Sequence, residues 1–124
     1  MVIYFNLDSV DLIIRDCDGV GEAGIIAIAR GCPLLNYLDV GGLKNLGDKG
    51  IVALSEARNC VSLEACNMIY CPGISKAGVT TLITGCQKLK KLLVEEEKVS
   101  QRTKRRAACL LVESWHGDLF FRDF

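Results

Sequence analysis

No Cys-x-x-Cys pair occurs in this sequence although it holds seven cysteines, and there is a single histidine, His116. An odd number of thiols cannot pair completely, and a common zinc ribbon needs paired Cys-x-x-Cys units, so a full disulfide framework and that metal site are both excluded. The sequence predicts free thiols in a reducing compartment, cytoplasmic and/or nuclear, with no metal and no cofactor. An excess of either charge is also lacking. Lys+Arg 15 equals Asp+Glu 15, so no global field draws the chain to nucleic acid or to an anionic membrane. Half of the residues are hydrophobic and 24% are charged, a mixture too apolar for disorder and too interrupted for a membrane span. The start, Met1 to Asp8, has neither a basic n-region nor a small-residue cleavage site and does not read as a signal peptide. No Lys-Ser/Thr pair follows Gly41-Gly42, so no phosphate-cradling loop is present there. At 124 residues, what remains is about one folded domain.

What the sequence has instead is a period. Cys32, Cys60 and Cys86 lie 28 and 26 residues apart, and Asn6 is their equivalent one 26-residue step earlier. Counting each of these as offset zero, offset six holds Leu12, Leu38, Cys66 and Leu92, and offset eight holds Ile14, Val40, Met68 and Val94. Offset eleven holds Cys17, Leu43, Cys71 and Glu97; offset fourteen, Val20, Leu46 and Ile74; offset eighteen, Gly24, Gly50 and Gly78. A period in the twenties with Leu-x-x-Leu-x-Leu spacing is the arithmetic of a leucine-rich repeat. The fold class predicted is α/β: a right-handed leucine-rich-repeat solenoid, a short horseshoe segment with parallel strands on one face and helices on the other.

The offsets explain each element. Side chains alternate along a strand, so offsets six and eight bury together while five, seven and nine face away. Strands are expected at about 11–15, 37–41, 65–69 and 91–95. From offset sixteen the spacing turns helical, through Ile25, Ile28 and Ala29, Ile51, Leu54 and Ser55, and Val79, Leu82 and Ile83. Asp48 and Ser75 are expected as N-caps, and Gly31 and Gly85 as left-handed C-terminal residues. A recurrent glycine at offset eighteen costs about 1 kcal/mol in a helix and so points to close contact between units. The units run 6–31, 32–59, 60–85 and 86–97, the last a strand half only; the second carries two extra residues around Glu56-Ala57-Arg58-Asn59. A capping helix is expected over 98–114 and an irregular tail over 115–124.

These residues resemble a known family. The pattern C-P-x-L-x-x-L-x-L/V, then I-x-D-x-G, then L-x-x-x-C belongs to the cysteine-containing leucine-rich repeats of F-box/leucine-rich-repeat proteins. Here it reads Cys32-Pro33-Leu34-Leu35-Asn36-Tyr37-Leu38-Asp39-Val40, Leu46-Gly47-Asp48-Lys49-Gly50, and Leu82 to Cys86. Cys71 to Val79, followed by Lys98 to Ala107, looks like the C-terminal part of a plant member. Leu43 stands where the pattern has cysteine and Lys76 where it has an acid. The resemblance implies a non-catalytic module that holds a target protein, as the substrate-recognition repeats of an SCF-type ubiquitin ligase do in ubiquitin-dependent protein degradation. It implies a Skp1-like adaptor only if an F-box is supplied by another chain or exon, because the sequence opens inside a repeat. Two readings compete with it. One is a truncated, non-functional fragment of such a protein; the other is a thiol-based catalytic or redox protein, which would need one cysteine far more reactive than the rest.

Candidate residues follow from the strand alternation. Asp11, Ile13, Arg15, Tyr37, Asp39, Asn67, Ile69, Tyr70, Lys91, Leu93 and Glu95 are expected on the concave face, as a mixed apolar, aromatic and charged protein-binding surface. The cysteines at repeat-fixed offsets are expected to be small buried hydrophobes whose S–H donates weakly to turn carbonyls. Lys88 to Arg106 carries eight basic residues against three acidic ones, a patch read as the solvated face of the cap and not as a nucleic-acid site, since no aromatics interleave the charges. The first strand, about Asp11 to Arg15, is expected to leave an edge that Val2 to Leu7 must cover or through which the chain weakly self-associates.

Overall fold

The computed structural model describes residues 2–5, 9–56, 62–102, 114–115 and 119–120. In chain order these form β1 (Val2–Phe5), β2 (Val10–Ile13), α1 (Glu22–Gly31), β3 (Leu35–Asp39), α2 (Asp48–Glu56), β4 (Ala65–Asn67), α3 (Lys76–Gly85) and β5 (Lys91–Leu93). A 3-10 turn, Glu96–Lys98, follows, and then β6 (Ser114–Trp115) and β7 (Leu119–Phe120). The protein is α/β, with β2 to β5 parallel and in sequence order and the three helices packed side by side.

Strand register follows the sequence offsets. Asp11 pairs with Tyr37, Tyr37 with Ala65 and Ala65 with Lys91; the same holds for Leu12, Leu38, Cys66 and Leu92, and for Ile13, Asp39, Asn67 and Leu93. Alternation then buries offset six, and Leu12, Leu38, Cys66 and Leu92 form one row of the core. Ile14, Val40, Met68 and Val94 form the next, and Leu35, Leu63 and Leu89 a third. Ile25, Ile51 and Val79 close the core from the helices. Each large aliphatic side chain so buried contributes roughly 1.5–3 kcal/mol. The burial is looser at α1, which among the described helices packs on α2: Val20 and Ile28 are half-buried, whereas Leu46, Ile74, Leu54 and Leu82 at the same offsets are fully buried.

The strands end earlier than the sequence predicts, and side chains supply the reason. Asp39 Oδ1 accepts the Gly41 N–H at 3.0 Å and Asn67 Oδ1 accepts the Ile69 N–H at 3.1 Å, so a local turn replaces regular strand. Parallel bonding nevertheless continues past the strand ends, with the Ile14 N–H donating to Asp39 O, Val40 to Asn67 O and Met68 to Leu93 O. Two residues beyond, at offset ten, the backbone turns left-handed at Asp16 (φ 55°), Gly42 (φ 76°) and Tyr70 (φ 59°). Glycine takes that conformation without penalty, whereas a side chain there is disfavoured.

Capping is corrected in two respects. Ser75 is the N-cap of α3 and accepts the Gly78 N–H at 3.5 Å, as expected. Asp48 does not cap its own helix. It is the first residue of α2, and its carboxylate reaches across to the next unit, accepting the Ser75 N–H at 2.8 Å and bonding the Ser75 hydroxyl. Glu22 on α1 repeats the arrangement one unit earlier, its Oε1 accepting the Lys49 and Gly50 N–H groups at 3.1 and 3.4 Å. Gly31 and Gly85 are not left-handed; they are the last helical residues, and the cap N–H groups of Cys32 and Cys86 donate to Ile28 O and Leu82 O. The close contact expected at offset eighteen holds at Gly78, where a Cβ would meet Asp48 Oδ1 at 2.2 Å.

Of the two outcomes expected for the β2 edge, the structure shows the first, in which N-terminal residues cover it. β1 runs antiparallel to β2, with Val2 opposite Ile13 and Phe5 opposite Val10. The capping helix expected over 98–114 falls largely outside the described residues; Gln101 and Arg102 are helical, and the 3-10 turn packs on α3. Ser114, placed by the sequence in that helix, lies instead in β6. The tail expected to be irregular carries β6 and β7, a short antiparallel pair. Among the described residues no helix is long and apolar enough to cross a membrane.

Candidate interaction surface

The sheet face opposite the buried rows is laid out by the same register. Its first row, offset five, reads Asp11, Tyr37, Ala65 and Lys91, from half-buried at β2 to exposed at β5. Asn36, beside this row, points its Nδ2 to Asp11 Oδ1 at 3.5 Å. The second row, offset seven, reads Ile13, Asp39, Asn67 and Leu93. Here the sequence expectation needs correcting: Asp39 and Asn67 are only 4% and 6% exposed, and the side-chain Oδ1 of each is engaged in its own turn. They shape the surface and offer little of it.

Asp39 also organises its neighbours. Arg15, half-exposed, brings Nε to 3.7 Å from Asp39 Oδ2, and the Tyr37 hydroxyl donates to the same oxygen at 3.5 Å. Burial pushes the Tyr37 phenol above its ordinary value, and the negative charge of Asp39 pushes it further. The third row, offset nine, holds Arg15, Gly41, Ile69 and Glu95, so an apolar centre at Ile69 lies between a cation and an anion. Ile13, Ile69 and Leu93 are half-buried, which leaves apolar area outside the core.

Beyond the strand ends the left-handed residues line a groove of about 660 Å³. Asp16, Gly42 and Tyr70 form one wall, and Tyr70 is 69% exposed. Lys44, Pro72 and Lys98 lie two residues further along each unit, and Glu95 and Glu97 complete the lining. Glu95 is held from two sides: its Oε1 accepts the Tyr70 N–H at 2.8 Å, and its Oε2 lies 3.6 Å from Lys98 Nζ. Lys98 in turn donates to Cys71 O at 2.7 Å. Tyr70 and Glu95 were legible as site residues, whereas Lys44, Pro72 and Lys98 were missed. They share offset twelve with Asp18, and a column count carried two positions past the strand would have found them.

Cys66, Cys71 and Cys86 are buried as expected, whereas Cys17 and Cys32, at repeat-fixed offsets too, are only half-buried. Cys71 Sγ donates to Val40 O at 3.0 Å, the turn-carbonyl role expected of a repeat-fixed cysteine. Burial pushes the Cys66 thiol far up, and burial is also the largest influence raising Cys71. Cys60 and His116 lie outside the described residues. No group of three or more His, Cys, Asp and Glu side chains among the described residues is arranged to hold a metal ion. No protein-family model matches the chain.

Proposed function

We propose that the chain is a short right-handed leucine-rich-repeat solenoid acting as a non-catalytic protein–protein interaction module, of the kind that presents substrates to an SCF-type ubiquitin ligase. One observation carries the reading: the four parallel strands share a register in which repeat offsets five, six and seven each stay in their own row. That register turns a one-dimensional period into a two-dimensional face, on which Arg15, Tyr37, Ile69, Lys91 and Leu93 supply charge, an aromatic ring and apolar area side by side. The raised thiols of Cys66 and Cys71 favour it over a thiol-based reading, since a nucleophilic cysteine needs its pKa lowered. In this role the face holds the target, and a Skp1-like adaptor is engaged only through an F-box.

The test is affinity capture from plant tissue with the wild-type chain, with Ile69→Asp and Lys91→Glu on the face, and with Ala27→Glu on the exposed side of α1. A partner kept by wild type and Ala27→Glu but lost by both face variants is the expected result, with circular dichroism showing all four proteins folded. Partners retained equally by every variant would overturn the reading.

A further inference from the structure

We propose that the groove beyond the strand ends receives an arginine side chain from an extended segment of the bound protein. The inference rests on the interaction-module reading and names the chemistry that one part of the surface selects. Four observations carry it. The cavity, about 660 Å³, is in the range of sites that take a side chain with its flanking backbone. Tyr70, a large aromatic 69% exposed, lines it and offers a π-face. The carboxylates of Asp16 and Glu97 line it with no hydrogen-bond or ion-pair partner among the described residues. Lys98, by contrast, is already engaged by Glu95 and by Cys71 O, which leaves Lys44 as the one cation of the lining without a partner among the described residues, and the lining itself with a net negative charge.

A guanidinium fits this set better than an ammonium does. It is planar and weakly hydrated, stacks on a tyrosine face, and presents a fork of N–H donors to a carboxylate. An anionic side chain would meet Asp16, Glu95 and Glu97, and an aliphatic one would leave the two free carboxylates desolvated without compensation.

Titration of the isotope-labelled chain with Ac-Gly-Arg-Gly-NH2, and separately with the citrulline peptide Ac-Gly-Cit-Gly-NH2, tests the inference by amide chemical shifts. Citrulline keeps the shape of arginine and removes its charge. The expected result is saturable shifts at Gly42, Tyr70 and Glu97 with the arginine peptide in the millimolar range, absent with citrulline, and weakened by added salt. Tyr70→Gly removes the ring and suits the left-handed backbone, so it keeps the fold and weakens binding by roughly two- to fivefold. Equal shifts from both peptides, no saturation, or unchanged binding in Tyr70→Gly would each overturn the proposal. A silent groove in a chain that still captures a partner through Ile69 and Lys91 overturns this inference alone and leaves the interaction reading standing.

Discussion

At the scale of single residues, the same repeat position is filled by side chains with very different freedom. Gly42 sits at φ 76° with the place of its missing Cβ 1.9 Å from Asp16 Oδ1, so Gly42→Ala meets a disfavoured backbone and a clash together. It is expected to cost about 2 kcal/mol or more, read from urea midpoints, whereas Tyr70→Gly at the same offset should change stability by no more than about 1 kcal/mol. The buried thiols make a second prediction, with a definite sign. Cys66 and Cys71 keep their protons in the native state above the ordinary thiol value of 9.0, where the unfolded chain loses them. The unfolded state then binds fewer protons, so stability is full below about pH 9 and falls as pH rises toward the folded values, by at most ~1.4 kcal/mol per pH unit for each thiol. Denaturation curves from pH 7 to 10.5 check this, and Cys66→Ala should flatten the alkaline decline. Rapid maleimide labelling of Cys66, Cys71 and Cys86 before unfolding would contradict their burial. This chemistry was legible in advance, because a cysteine repeated at a fixed offset among leucines is being used for its size. The left-handed turn was not, since Asp16 and Tyr70 hide a position that only Gly42 reveals.

At the scale of elements, the starts of α2 and α3 are each finished by an acid at the start of the preceding helix. Glu22 serves the first amides of α2 and Asp48 serves the Ser75 turn that opens α3. Lys76 holds the next position in this series, so the chain of acids ends there. Asp48→Ala is expected to cost about 1 kcal/mol, within the range for a lost cap, and to raise amide exchange in α3 more than in α2. Equal effects on both helices would show that Asp48 serves its own helix after all. The helices themselves were readable from Ile51 and Leu54 or Val79 and Leu82, which repeat at helical spacing. Their caps were misread because local reasoning looks for an oxygen within one turn, while Asp48 acts 27 residues away in sequence. Strand ends were misread for a related reason, in that the Asp39 and Asn67 side chains took the bond that a ladder partner would have taken.

For the whole molecule, the buried rows run across neighbouring parallel strands, so each row's stability depends on the strands on either side of it. Leu38 has Leu12 on one side and Cys66 on the other, whereas among the described residues Leu92 in β5 has a parallel neighbour only at Cys66. Both are fully buried, and truncation to alanine should cost about 2–5 kcal/mol, with Leu38→Ala the larger. Chemical denaturation of the two variants measures it, and unchanged midpoints would break the link between register and core. The parallel order of β2 to β5 was legible because a strict period leaves a sheet few ways to form. The groove's lining was less so, since Glu97 and Lys98 belong to a turn whose path depends on where Glu95 is held.

Among the described strands of this sheet β1 alone runs against the rest, and it occupies the edge of β2 that a parallel strand would need. A further parallel strand outside β2 would need the amides and carbonyls that Val2 to Phe5 now occupy from Ile13 to Val10. The two occupants are mutually exclusive, so adding a parallel strand directly to β2 begins with peeling away four paired residues. β1 therefore acts as a latch: whatever docks at the β2 edge must outcompete a strand already tethered to it by the short link from Asn6 to Ser9, at an effective concentration that no free partner readily matches.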